Sequence, residues 1–138
     1  MIEAIHIGPE EAGPLAKVES VRAFAGKGLE GDRNFFADGA KPGEALTLVE
    51  AEVVEDVGLA EGETRRQLTV RGIPLNDLVG KHFTVGEVQC YGVELCEPCK
   101  HLESMTRAGI IDELLHRGGL RADILNDGVI RVGDAISA

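Results

Sequence analysis

Eighteen of the 138 residues are glycine, and they punctuate the chain from Gly8 to Gly133. Glycine is favoured where the backbone turns sharply or takes positive φ, and it weakens the interiors of helices and strands. A chain interrupted this often does not build a few long helices. It predicts short strands joined by many turns, so the expected class is mainly β with a few short helices. At 138 residues the chain is about one domain long and can bury a single core, so residues 1–138 are read as one domain.

Local patterns fill in that outline. Ile2, Ile5 and Ile7 lie in an extended opening that stops at Gly8-Pro9. Val18 to Phe24 is strand-like and runs into Gly26-Lys27-Gly28-Leu29-Glu30-Gly31-Asp32-Arg33, a stretch too glycine-rich for regular structure. Ala45 to Val49 reads as a buried strand. Glu50 to Val57 reads as a short helix with acids in its first turn and Gly58 as its stop. Gln67 to Val70 is a strand, and Ile73 to Gly80 holds a turn and a single helical turn. His82 to Val85 and Val88 to Leu95 form a hairpin through Gly86-Glu87. Pro98 to Ala108 predicts a helix with Pro98 at its first position. Ile110, Ile111, Leu114 and Leu115 make one apolar face of another helix, ended by Gly118-Gly119. Leu120 to Leu125 and Val129 to Val132 are late strands, with Asn126-Asp127-Gly128 between them as a hairpin-type turn. The set implies a barrel or a curled sheet.

Charge narrows the partners. The net charge of −10 repels nucleic acid and anionic membrane, so neither is an expected partner. No apolar run approaches the ~20 residues of a membrane span. Met1-Ile2-Glu3-Ala4 lacks the basic segment and apolar stretch of a signal peptide. The expected compartment is the cytoplasm.

Cys90, Cys96 and Cys99 are an odd, closely spaced set, which argues against a disulfide framework. Two of them form Cys96-Glu97-Pro98-Cys99, followed by Lys100 and His101. With a helix starting at Pro98, Cys99 falls in the first turn, where free N–H groups and neighbouring cations favour a thiolate. A thiolate attacks sulfur or ligates a soft metal. Two blander readings stand beside this one. Free cysteine is readily buried as a small apolar residue. Structural zinc needs four ligands, usually with a second cysteine pair, and only Cys90 and the scattered His6, His82, His101 and His116 remain. No tightly bound zinc is expected. A thioredoxin-type dithiol would need a βαβ setting, and a hairpin precedes the motif instead.

The glycine-rich stretch contains G-x-G-x-x-G, but Asn34-Phe35-Phe36-Ala37-Asp38-Gly39 follows it rather than a helix. A dinucleotide site is therefore rejected, and no Gly-Lys-Ser/Thr supports a Walker loop. What remains is a loop able to approach a ligand closely, with Lys27 and Arg33 in reach of an anion. Arg65-Arg66 and Arg71 form a local basic spot in an acidic chain, suited to phosphate unless paired with Glu61 and Glu63.

Taken together and in order, these motifs resemble the MOSC family, named for the C-terminal domain of molybdenum-cofactor sulfurase. The matching pieces are Gly26 to Arg33, Leu46-Thr47-Leu48-Val49-Glu50, Arg65-Arg66-Gln67-Leu68-Thr69-Val70, Gly72 to Gly80, Cys96-Glu97-Pro98-Cys99, Gly119 to Leu125 and Ile130 to Asp134. The resemblance implies a MOSC-type β-barrel-like domain with a functional cysteine. In similar molybdoenzymes the corresponding cysteine ligates molybdenum beside the dithiolene sulfurs of the pyranopterin. Carried over by motif position, that residue is Cys99, with Cys96 as its neighbour. Lys27, Arg33, Arg65, Arg66 and Asn76 would contact the molybdenum cofactor. The resemblance implies reduction of small N-oxygenated substrates with a redox partner. It also implies an alternative, a sulfur carrier that takes a persulfide from a cysteine-desulfurase-type donor or delivers cofactor. Gln67 departs from the asparagine common after the arginines, and would lose or re-aim an amide hydrogen bond to the cofactor.

Overall fold

The computed structural model describes all 138 residues. The strands are β1 Ile2–Ile7, β2 Ala16–Val18, β3 Ser20–Phe24, β4 Gly28–Leu29, β5 Leu46–Glu50, β6 Leu68–Val70, β7 His82–Val85, β8 Val88–Leu95, β9 Leu120–Ile124, β10 Gly128–Arg131 and β11 Ile136–Ser137. The helices are α1 Ala51–Asp56, α2 Lys100–Met105 and α3 Ile110–Leu114, with a single 3-10 turn at Leu75–Leu78. Eight strands form one curled sheet in the order β11-β7-β8-β9-β5-β6-β1-β2, and β10-β3-β4 form a second. The protein is mainly β, as its glycines predict. All pairings between named strands are antiparallel except β5 with β6.

A single main core of 20 buried residues lies between the sheets. Ile2, Leu46, Leu48, Leu68, Val85 and Leu120 enter it from the large sheet, and Val21, Ala23, Leu29 and Ile130 from the small one. Strand β5 is buried on both faces, which explains its unbroken apolar run. A satellite core of Val57, Leu102, Ile110 and Leu114 joins α2 and α3 to the end of α1. The helices that carry the cysteine turn therefore pack apart from the main core.

The hairpin β7–β8 pairs as expected, His82 opposite Tyr91 and Val85 opposite Val88. Four other local expectations are corrected. The glycine-rich stretch contains β4, which pairs with β3. Asp127-Gly128 does not close a hairpin between β9 and β10, because β10 leaves the large sheet and pairs with β3. The turn is fixed by long-range bonds: Gln89 N–H donates to Asn126 Oδ1 (2.6 Å) and Ala25 N–H to Asp127 Oδ1 (2.8 Å). The helix expected from Pro98 begins at Lys100, and Pro98 stays outside it. Leu115 is 51% exposed, since α3 ends at Leu114 and His116 then takes a positive φ of 61°.

His6 on β1 is buried, and its Nδ1 has no hydrogen-bond partner. Burial holds its pKa below the usual range; Glu61 opposes this shift and Lys17 adds to it. The unfolded chain thus binds a proton near pH 6.5 that the folded chain resists, so stability falls as pH drops below about 6.5. We expect the urea midpoint to fall between pH 7.5 and 5.5 by more in the wild type than in His6→Leu. An equal fall in both would exclude His6 as the source.

Candidate functional site

One cavity of about 340 Å³ opens where five parts of the chain meet the large sheet. Glu11 and Ala12 come from the loop after β1, and Arg33 and Asn34 from the loop after β4. Thr64, Arg65 and Arg66 come from the approach to β6, Cys96 and Cys99 from the turn after β8, and His101 and Leu102 from α2. Thr47 and Arg121 close the floor. They are cross-strand partners on β5 and β9, so their side chains share a face. Four arginines line the cavity against one carboxylate, that of Glu11.

Arg33 is set by a buried acid. The Asp32 carboxylate, fully buried, accepts from Gly8 N–H (2.9 Å), Asn34 N–H (3.1 Å), Gln67 Nε2 (2.7 Å) and Arg33 Nη1 (3.3 Å). Gln67 completes the link to the sheet, because its Oε1 accepts Thr47 N–H at 2.8 Å. Both ends of the Gln67 amide are therefore engaged within the protein. The amide is thus aimed inward, and its extra methylene lets it span from β5 to Asp32. The glycine loop has the same internal purpose. At Gly28 (φ 138°) a Cβ would lie 2.4 Å from the Asn34 carbonyl oxygen, so the close approach is to the chain itself. That approach delivers Arg33 and Asn34 to the cavity.

Arg65 occupies the left-handed region (φ 62°) and donates from Nη2 to the Gly13 carbonyl at 2.9 Å. Arg66 donates to three carbonyls: Nε to Gly118 (2.9 Å), Nη1 to Thr64 (3.2 Å) and Nη2 to Cys96 (3.0 Å). Cys96 N–H in turn donates to the Gly119 carbonyl at 2.7 Å. The cysteine turn, Arg66 and the Gly118-Gly119 corner form one bonded unit.

The electrostatics point to an anion. Among the four arginines only Arg33 has a carboxylate within ion-pair distance. Burial depresses the pKa of Arg65, and repulsion from Arg33 adds to this while Asp32 partly offsets it. Burial also depresses that of Arg66, with Arg121 adding repulsion and the two cysteines opposing it. Cations crowded and desolvated without matching acids mark a site preorganised for negative charge.

The thiols differ sharply. Cys99 is exposed, while Cys96 and Cys90 are buried. Burial, with Asp123 as a lesser cause, pushes the Cys90 thiol up to about 12, leaving it inert at neutral pH. Cys99 is the N-cap of α2, with extended backbone (φ −128°, ψ 170°), and its carbonyl accepts Glu103 N–H at 3.0 Å.

Of the residues that sequence singled out, Cys96, Cys99, Arg33, Arg65 and Arg66 converge on this cavity. Lys27 and Asn76 do not line it. Lys27 is exposed in the turn from β3 to β4, its N–H bonded to the Phe24 carbonyl. Asn76 donates from Nδ2 to the His116 carbonyl at 2.7 Å. Arg71 is paired with Glu3 and Glu55, away from the cavity. Sequence reasoning missed Arg121, Thr47, Asn34 and Glu11. Arg121 had a weak local signal, a charge alternating with Leu120 and Ala122 along a strand. No three His, Cys, Asp or Glu side chains converge as a self-sufficient metal site. No helix is long and apolar enough to cross a membrane.

Comparison with known proteins bears on the fold and the family. The MOSC domain family matches residues 4–137. No curated protein sequence matches the chain. Among solved structures, the YuaD protein from Bacillus subtilis is 15% identical with a TM-score of 0.80, covering 98% of this chain and 92% of that one. YiiM from Escherichia coli is 15% identical, TM-score 0.69, covering 99% of this chain and 68% of that one. YiiM from Geobacillus stearothermophilus is 16% identical, TM-score 0.71, covering 99% and 74%. At these identities the likeness is one of fold.

Proposed function

This chain belongs to the MOSC domain family, which is linked to molybdenum-cofactor-related function, and from that premise we propose that its arginine-lined cavity holds the molybdenum cofactor with Cys99 as the protein ligand to the metal. One observation carries the reading: the only exposed thiol lines the same cavity as four arginines, three of them without a carboxylate partner. The donor set suits a group that brings both a soft metal and a phosphate. A thiolate serves the first and planar guanidinium forks the second. Since the protein offers no complete ligand cluster, the metal must bring its remaining ligands.

When bound, the cofactor supplies electron and oxygen-atom chemistry, and the protein's part is to bind, orient and shape access. Arg33, Arg65, Arg66 and Arg121 neutralise and orient the anionic end. The Cys96 carbonyl accepts from Arg66 Nη2 and so ties that arginine to the turn presenting Cys99. His101 and Leu102, adjoining Cys99 on α2, shape the mouth. Reduction of small N-oxygenated compounds is the activity proposed for the loaded protein, with a separate electron donor as its partner.

A second reading rests on the same exposed thiol. A carrier requires only one accessible thiolate, which attacks a donor persulfide, takes its outer sulfur and releases the donor thiolate. Protein from a molybdenum-replete host discriminates between these. We expect metal in roughly stoichiometric amount, falling at least about tenfold in Cys99→Ala with the fold retained, the order of loss seen for weakened metal sites. Metal-free wild type carrying one extra sulfur on Cys99 would replace the first reading with the second. Molybdenum unchanged in Cys99→Ala would exclude Cys99 as ligand.

A further inference from the structure

We infer that Glu97 and His116 form a positioning latch that holds the Cys99 sulfur against the arginine wall; the inference rests on the site reading above, in which that sulfur must face the cavity. Glu97 lies between the two cysteines, and its carboxylate reaches across to the turn after α3. Its Oε1 accepts the His116 backbone N–H and its Oε2 pairs with His116 Nδ1, each at 2.7 Å. His116 is held from the other side as well, since its carbonyl accepts Asn76 Nδ2 at 2.7 Å. Its φ of 61° is a conformation that a residue with a Cβ rarely adopts, so the surrounding bonds must enforce it.

The same turn supports the rest of the motif. At Gly118 a Cβ would lie 2.5 Å from the Cys96 carbonyl oxygen and 3.2 Å from Pro98 Cδ, so the two turns are in direct contact. Arg66 binds the Gly118 and Cys96 carbonyls together. Cys96 is thus fixed by backbone bonds and Pro98 by packing. Cys99 has no side-chain capping bond, and is fixed only through Glu97 and Pro98 before it and the short α2 after it. An exposed ion pair is ordinarily worth little. Here the pair is bidentate, spans 19 residues and anchors a strained backbone. The arrangement gives the Glu97 side chain a purpose that a solvated surface acid would lack: it sets where the next cysteine stands. Asn76 then acts at one remove from the cavity, by fixing the latch.

The test compares Cys99 alkylation by iodoacetate, an anion, with that by neutral iodoacetamide. Their rate ratio reports the potential at the sulfur and cancels its intrinsic nucleophilicity. Cys90 and Cys96 are buried, so native-state label maps to Cys99 by mass spectrometry. We expect the wild-type ratio to exceed that of the urea-unfolded chain by about fivefold or more, as for an anion drawn into a cationic cleft. In Glu97→Ala and His116→Gly it should fall to within about twofold of the unfolded ratio, with the fold retained by circular dichroism. His116→Gly keeps the left-handed backbone available, so it decides the matter if Glu97→Ala fails to fold. Glu97→Gln, which removes the same charge but keeps both bonds of the latch, a carbonyl acceptor for the His116 N–H and an amide N–H for Nδ1, should retain at least half the wild-type ratio. Losing a nearby anion alone would raise the ratio, so a fall reports displacement of the sulfur. A high wild-type ratio unchanged in both latch variants overturns the latch and leaves the site reading standing. A wild-type ratio equal to that of the unfolded chain overturns the site reading and the latch with it.

Discussion

Asp32→Ala is expected to lower the unfolding free energy by about 3–5 kcal/mol, the range for breaking a buried, hydrogen-bonded ion pair from one side. The carboxylate is fully buried and accepts four hydrogen bonds, from Gly8, Asn34, Gln67 and Arg33. Alanine leaves the Gly8 N–H and Gln67 Nε2 inside the protein without acceptors, at roughly 1–3 kcal/mol for each buried donor left unmade. It also leaves Arg33 beside Arg65 with no acid between them. The melting temperature should fall on the order of 10–15 °C for a domain of this size. Asp32→Asn keeps the shape and one acceptor oxygen but sets an amide NH₂ among donors, so an intermediate loss is expected. Urea denaturation with an unchanged m-value would show that the effect is on stability. A loss under about 0.5 kcal/mol for alanine, within the range of surface substitutions, would mean that water replaces the carboxylate and that Asp32 does not organise the site.

How much of this was legible depends on distance along the chain. The β7–β8 hairpin, the single turn at Leu75–Leu78 and α1 rest on neighbours, and sequence pattern finds them. Arg33, Arg65, Arg66 and the two cysteines were found because their residue types are unusual in place: basic residues in an acidic chain, thiols at a strand's end. The misses arise from contacts that no local pattern encodes. Asp127-Gly128 has hairpin chemistry, yet Asn126 and Asp127 bond to Gln89 and Ala25, and the chain changes sheets. Arg121 reaches the cavity through its register opposite Thr47, a pairing 74 residues away. Gln67 was expected to lose or re-aim a bond, but its neighbours in space, Asp32 and Thr47, are not written in the local pattern. Asn76 was expected to contact the cofactor, and its amide holds the His116 turn instead. In each case the residue type was informative and its partner was not.

Arg65→Met is expected to leave the ligand-free protein as stable as the wild type or more so, while removing at least about half of its response to phosphate. The sign follows from the pKa. Burial and Arg33 depress that of Arg65, so the folded state disfavours its charge relative to the unfolded state. Arginine is protonated in both states at any workable pH, so this penalty is present throughout and no pH window relieves it. Methionine keeps the stem and the backbone strain at φ 62° alike, and removes the charge. The lost bond is to the Gly13 carbonyl, on a loop where water can take its place. Phosphate should raise the wild-type melting temperature, since a ligand at 100 times its Kd adds about 2.7 kcal/mol. Losing one charge-assisted contact of about 1.5–3 kcal/mol weakens binding roughly 10- to 100-fold, enough to erase from about half to most of that rise at the same concentration. Sodium chloride at matched ionic strength separates binding from screening. Arg66→Met should instead be destabilised without ligand, because three carbonyls lose their donor. If Arg65→Met is instead as destabilised as Arg66→Met without ligand, the guanidinium at position 65 is a structural brace, and the cavity's positive charge has another origin than anion binding.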